Sequence, residues 1–238
     1  MSNKSMYYSA TGTGYVSTPS FAIPNTGILT VEAWMKSSFN ATISQAIMGD
    51  NADSNTIGYI LINRGLKTNT LYYYYANGAG QIQGILGNFF QNLDGQYIHI
   101  VTVCDYPNNK LYVYRNGVLF DTKTLTGTPV FPSTDRVKYI GSTSPGGRNI
   151  TDGSLDEVRI YNRGLGAEEV LEHYNGIFKD ESNLQLYYNF NEDSGTTVLD
   201  QSGNGRNGTM NGSTSREEFP PQFRSSITSV NGVESITF

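Results

Sequence analysis

Between Leu29 and Tyr161 the chain is a succession of short alternating segments, each closed by a turn signal, and this rhythm constrains the fold more than any other feature. In LTVEAWMKSS, Leu29, Val31, Ala33 and Met35 alternate with Thr30, Glu32, Trp34 and Lys36. Successive side chains of a strand point to opposite faces, so this segment reads as a strand with one face turned to a core. IGYILIN from Ile57, LYYYYANG from Leu71, QYIHIVTVCD, VKYIGST and SLDEVRIYN repeat the pattern. KLYVYRNGVLFDTKTL predicts a hairpin turning at Asn116-Gly117, where both central residues tolerate positive φ. Strands this short and this frequent predict an all-β antiparallel sandwich of two sheets. The 17 Tyr, 11 Phe and 26 Gly suit half-buried pleated surfaces and tight turns.

One segment breaks the rhythm. GLGAEEVLEHYN offers Leu165, Val170, Leu171 and Tyr174 as an apolar stripe at helical spacing, with Glu168 and Glu169 complementing the dipole of the first turn and Gly176 as a stop. The expected organisation is one domain over residues 1–213 and a tail over 214–238. In the tail, Pro220-Pro221 interrupts strand formation, and SITSVNGVESITF predicts a two-stranded hairpin about Asn231-Gly232. A hairpin alone is marginal in water, so it is expected to dock on its own domain or on a neighbouring subunit.

Several function classes are excluded at this level. The net charge is −5 and the basic residues are scattered singly, so nucleic acid is not an expected partner. No run approaches the ~18 apolar residues of a membrane span, so no membrane insertion is expected. The segment MSNKSMYYSATGTG lacks the basic and apolar regions of a signal peptide. Localisation stays open, with a virion or a cell surface both compatible. The one cysteine, Cys104, lies in an apolar run and is expected to be a buried, inert thiol.

SLDEVRIYNRGLGAEEVLEHYN closely resembles the closing strand and helix of the laminin-G-like jelly rolls in the concanavalin A-like lectin/glucanase superfamily. TVEAWMK resembles the family's early strand with its Glu-Ala-Trp. GQYIHIVTVCDYPNNKLYVYRNGVLF resembles its central hairpin, with Tyr97 where a Trp is usual and His99 at the usual His. LQLYYNFNEDSGTTVLDQSGNGRNGTM resembles the opening hairpin of the family, yet it comes last here. The resemblance covers roughly residues 6 to 213 and implies a two-sheet jelly roll. The order is explained by a circular permutation or by a truncated second repeat, and too few residues follow for another sandwich. Permutation predicts that Leu184–Asn189 pairs beside the N-terminal strand near Tyr7.

The resemblance extends to glucanases, so it implies glycoside hydrolysis as one candidate activity. Glycoside hydrolysis needs two carboxylates on one face about 5–10 Å apart. The acidic pairs Asp156-Glu157, Glu168-Glu169, Glu192-Asp193 and Glu217-Glu218 are adjacent residues, which point to opposite faces of a strand. No catalytic residues are assigned, and an enzyme is not expected. The resemblance implies a calcium ion as a cofactor of some relatives. The loop DQSGNGRNG supplies Asp200 and Asn204 as oxygen ligands, and Asp156 is expected to approach the same rim. The alternative is that Asp200 and Asn204 close their own backbone turns. For a sugar ligand, Tyr73 and Tyr75 share one face of their strand, and Tyr112 and Tyr114 share a face of theirs, so these four are the candidate stacking residues. Two functions follow: a non-catalytic, lectin-like module binding a glycan or cell-surface polysaccharide, and a structural viral (phage) decoration or fibre protein. In the second, the tail contacts other protein subunits.

Overall fold

The computed structural model describes residues 3–37, 45–50, 61–64, 69–77, 81–147, 149–150, 152–218, 227–230 and 233–236. Ile57–Ile60, Gly78, Pro220-Pro221 and Asn231-Gly232, which carried strand and turn expectations, lie outside the described residues. In chain order the first strands are β1 (Lys4–Tyr8), β2 (Tyr15–Ser17), β3 (Ile28–Lys36), β4 (Gln45–Gly49), β5 (Leu61–Arg64) and β6 (Leu71–Ala76). They are followed by β7 (Gln81–Leu86), β8 (Tyr97–Asp105), β9 (Lys110–Arg115), β10 (Val118–Thr124), β11 (Tyr139–Ile140) and β12 (Gly153–Tyr161). The helix α1 (Ala167–Tyr174) precedes β13 (Leu184–Tyr188), β14 (Thr197–Val198), β15 (Gly208–Asn211), β16 (Thr214–Glu218), β17 (Ile227–Val230) and β18 (Val233–Ile236).

The strands form two antiparallel eight-stranded sheets, the all-β sandwich expected from the alternation. The first has the order β10-β9-β8-β3-β12-β1-β16, with β13 also on β12; the second runs β14-β15-β2-β11-β4-β5-β6-β7. Leu29, Val31, Ala33 and Met35 of β3 face the second sheet, where Val16, Met48, Tyr73 and Ile140 meet them in one continuous core. The hairpin at Asn116-Gly117 forms as expected, with positive φ at both residues.

The helix lies on the outer face of the first sheet. It buries Val170 and His173, whereas Leu171 is 45% exposed. His173 follows Val170 by three positions and therefore shares its face, which the apolar pattern alone does not reveal. Beneath the helix, Val101, Val103, Tyr114, Tyr161 and Leu184 form a second apolar cluster. Trp34 also points outward and is nonetheless buried, because Tyr174 stacks on it with ring centroids 5.6 Å apart.

The C-terminal third is integral to the sandwich, but not in the lane expected for it. Strand β13 pairs with β12 at Val158–Tyr161, and β1 pairs with the same edge at Gly153–Leu155. The two therefore lie end to end and run in the same direction, with the Lys4 N–H donating to Asn191 Oδ1 at 2.7 Å where they meet. The place beside Tyr7 is taken by β16, whose Ser215 opposes it. Thr214–Glu218, assigned to the tail on sequence grounds, is thus the outermost strand of the first sheet. In the second sheet β15 pairs with β2, so both terminal regions are stitched together in both layers. Strands β17 and β18 pair with each other in a separate two-stranded sheet.

Candidate functional site

Three loops converge at the end of the sandwich where β3 begins, β8 gives way to β9, and β10 ends. Backbone bonds tie them together: the Tyr106 N–H donates to Gly27 O at 3.0 Å, and the Leu125 N–H to Asn109 O at 2.8 Å. Asn162, just past β12, anchors the first loop, donating from Nδ2 to Pro24 O at 3.1 Å and accepting at its carbonyl from Thr26 Oγ1 at 2.5 Å. Gly27 has φ 84°, and a Cβ there would sit 2.9 Å from Pro107 Cγ, so only glycine permits this approach. Between the loops lies a groove of about 420 Å³.

The floor of the groove is apolar. Tyr106 and Phe131, each 6% exposed, pack with ring centroids 5.2 Å apart. The Tyr106 hydroxyl turns inward, 3.3 Å from that of Tyr73, and burial holds its pKa well above the usual tyrosine value. Pro107 and Pro129 line the walls, and Asn25, Asn109 and Thr128 supply the polar groups. Asn25 Oδ1 accepts from the Gly27 N–H at 2.9 Å, which fixes the amide. The Asn109 side chain and the Thr128 hydroxyl make no hydrogen bond among the described residues. A concave site with an apolar floor and a few uncommitted polar groups is suited to a small polar ligand.

The ionisable groups on the outer face of the first sheet are committed elsewhere. The Glu32 carboxylate bridges both histidines of the chain, with His99 Nε2 at 2.8 Å and His173 Nδ1 at 3.0 Å. All three side chains are at most 1% exposed. Burial alone would raise the Glu32 pKa, but the hydrogen bonds from His173 and His99 and the charge of Arg159 outweigh it and hold the carboxyl well below the usual range. Arg159 pairs with Glu157 at 2.6 Å, and its guanidinium carbon sits over the rings of Tyr187 and Phe178, 3.8 and 4.0 Å from their centroids. Glu217 of β16 accepts from Tyr97 at 3.0 Å and from Ser154. This network straps α1 and β16 to the sheet. Sequence reasoning overlooked it, although Glu32, His99, Arg159 and His173 all fall in the segments that carry the family resemblance.

The residues expected for calcium are each engaged by groups of the protein. Asp200 Oδ1 accepts the backbone N–H groups of Tyr187 at 3.1 Å and Ser202 at 3.0 Å, and Oδ2 accepts that of Arg206 at 2.9 Å. Asn204 donates from Nδ2 to Leu184 O at 2.9 Å. Three N–H donors aimed at one carboxylate describe a loop closing on itself, and this geometry favours the backbone-turn alternative over a cation. Asp156 lies in the middle of β12, buried and opposite Trp34, with Oδ1 accepting the Glu157 N–H at 2.8 Å. Among the described residues no group of three or more His, Cys, Asp or Glu side chains is arranged to hold a metal.

The tyrosine expectation also changes. Tyr73 and Tyr75 turn into the core, 0% and 2% exposed, because Leu71 sets the inward register of β6. Tyr112 and Tyr114 lie on the outer face of the other sheet, within the cluster under the helix. The four share no surface, and the β6 residues left outside are Tyr72 and Tyr74, both half-buried. Cys104 is fully buried, as expected, and burial pushes its thiol up to about 12.

Solved structures of the same fold include a candidate carbohydrate binding protein from Bacteroides ovatus, with 19% identity over 91% of this chain and a TM-score of 0.63. This chain spans 60% of the length of that protein. A heptameric SAP-like pentraxin from Limulus polyphemus matches at 17% identity over 71% of this chain and 80% of its own, with a TM-score of 0.54. The CBM40 module of a Ruminococcus gnavus IT-sialidase, bound to α2,3-sialyllactose, matches at 12% identity over 73% of this chain and 97% of its own, with a TM-score of 0.51. At these identities the likeness is one of fold. No curated protein matches in sequence. The family model of the concanavalin A-like lectin/glucanases superfamily, of laminin G type, matches residues 10–171, more than half of the sequence, and the chain therefore belongs to that family.

Proposed function

We propose that this chain is a non-catalytic, lectin-like module that binds carbohydrate. The observation that carries this reading is the groove at the loop end, with uncommitted amide and hydroxyl groups above a floor of aromatic and proline rings. Such a surface matches the alternating hydroxyls and C–H faces of a sugar. Two further observations support it. Proteins of the same fold include a sialidase-attached module bound to a sialylated trisaccharide. In addition, Glu32, Glu157, Glu217 and Asp200 spend their oxygens on histidine, arginine, hydroxyl and backbone partners, which leaves them unsuited to paired acid–base work.

Migration of the protein through gels containing soluble polysaccharides tests the reading, together with an assay for released reducing ends. Retardation by at least one polysaccharide without release of reducing sugar is expected. Hydrolysis refutes the non-catalytic part, and unchanged migration in every polysaccharide and on every immobilised glycan refutes the binding role.

A second reading, as a building block of a larger assembly, rests on the β17–β18 hairpin. Among the described residues it is hydrogen-bonded to neither large sheet, and an isolated two-stranded ribbon is marginally stable in water. Contact with another subunit would supply the missing partner.

A further inference from the structure

We propose that the groove between Asn25, Pro107, Asn109 and Thr128 selects an uncharged glycan and binds it without a metal ion. The inference rests on the carbohydrate-binding reading and adds the chemical class of the ligand and its place on the molecule. Every residue lining the groove is neutral: asparagine, threonine, tyrosine, phenylalanine, proline or glycine. An anionic sugar seated there would bring a carboxylate or sulfate out of water with no cation to meet it. The nearest sequence neighbour of the floor makes this worse. Asp105 precedes Tyr106, and its carboxylate is held beside the loop by the Asn108 N–H at 3.1 Å and Asn108 Nδ2 at 2.9 Å. A net charge of −5 adds a general repulsion of anions.

The polar groups suit a neutral sugar. Amides offer both donors and acceptors, and a threonine hydroxyl can do either, so each can address a sugar hydroxyl whatever its orientation. The pyrrolidine rings of Pro107 and Pro129, with what Tyr106 and Phe131 leave exposed, offer apolar surface to the C–H face of a pyranose. None of the lining residues is an acidic side chain, so a bridging cation would find no carboxylate to neutralise it. Asn109 is held at φ 53° with its backbone N–H and C=O both engaged, which leaves the side chain as the group presented to a ligand.

The test is a glycan array divided into neutral, sialylated, uronic-acid and sulfated sets, probed with the full chain in calcium and again in chelator, followed by titration of the best ligands. Neutral glycans are expected to bind, with no change on chelation and a preference over their anionic analogues of about 10–100-fold. Asn109→Gly keeps the left-handed backbone and removes the amide, and Thr128→Ala removes the hydroxyl. Each is expected to weaken the best neutral ligand by roughly 3–10-fold with an unchanged melting curve. Binding confined to anionic glycans, or lost on chelation, overturns the neutral, metal-free site while leaving the carbohydrate-binding reading intact. Neutral binding that survives both substitutions but is lost in Tyr74→Ala moves the site to the outer face of the second sheet and overturns the placement. Silence across the whole array defeats the carbohydrate reading itself.

Discussion

Replacing Glu32 by alanine removes the one carboxylate on which both histidines depend. His99 and His173 each donate a ring N–H to it, at 2.8 and 3.0 Å, from positions 0% exposed. Water cannot replace the lost acceptor, so two buried donors are left unsatisfied, at about 1–3 kcal/mol each. The total of about 2–6 kcal/mol brackets the usual cost, about 3–5 kcal/mol, of removing one member of a buried, hydrogen-bonded charge cluster. For a domain of this size it corresponds to a fall in Tm of about 6–20 °C. Urea titration followed by Trp34 fluorescence is the direct assay, since the only tryptophan stacks on Tyr174 and lies 5.1 Å from the His99 ring. Glu32→Gln keeps an acceptor for one histidine and is expected to lose about half as much. The folded pKa of Glu32 lies below that of an unfolded glutamate, so its contribution is complete above the unfolded value and disappears as the pH falls. Wild-type stability should therefore drop below about pH 4–5, and Glu32→Gln should show a shallower acid dependence. An alanine variant that melts within about 2 °C of the wild type would refute the argument.

Two further outcomes follow from the fold. Cys104 is fully buried with its thiol pushed up to about 12, so native protein at pH 8 should not react with a disulfide reagent, whereas urea-unfolded protein should titrate one thiol. A chain ending at Glu218 should keep the wild-type melting temperature, but one ending at Ser213 should not. The second deletes β16, which pairs with β1 over five register positions, and with it the Glu217 acceptor shared by Tyr97 and Ser154. Equal melting temperatures for the two truncations would show that β16 contributes nothing to the sheet.

The strands were legible because a strand that faces a core on one side writes its orientation into every second residue. Leu29, Val31, Ala33 and Met35 illustrate this, and all four are in the core. The same rule put Tyr73 and Tyr75 on one face but did not say which face meets the core, and the expectation that they face a ligand was wrong because tyrosine suits either face. The decision came from Leu71, whose burial fixes the register of β6. The end-to-end arrangement of β13 and β1 was hidden for a different reason. It depends on β12 carrying two partners along one edge, with a bulge between Asp156 and Arg159 and Glu157 at φ 51° where the lanes meet. Local sequence does not report how many strands share an edge. Likewise the role of Asp200 as a turn-closer depends on N–H groups of Tyr187 and Arg206 brought to it by tertiary structure.

The groove was the least legible part, and the reason lies in what the family signature records. Glu32, His99, Arg159, Asn162 and His173 all belong to segments that carry the resemblance, and each is spent on scaffold. Glu32 and the histidines hold the helix, Arg159 fills the space between Tyr187 and Phe178, and Asn162 clamps the loop at Pro24 and Thr26. The side chains presented to the groove, Asn25, Asn109 and Thr128, come from turns where asparagine and threonine are ordinary residues, so nothing in their pattern separates a ligand contact from a turn former. The division has a physical basis. A buried acid–imidazole cluster fails if one member changes, whereas an exposed amide at a loop end can be exchanged with little loss of stability. A scaffold of this kind holds the loops at its end in place while leaving their chemistry free to vary, which is why membership of the family identifies the frame and not what the groove takes.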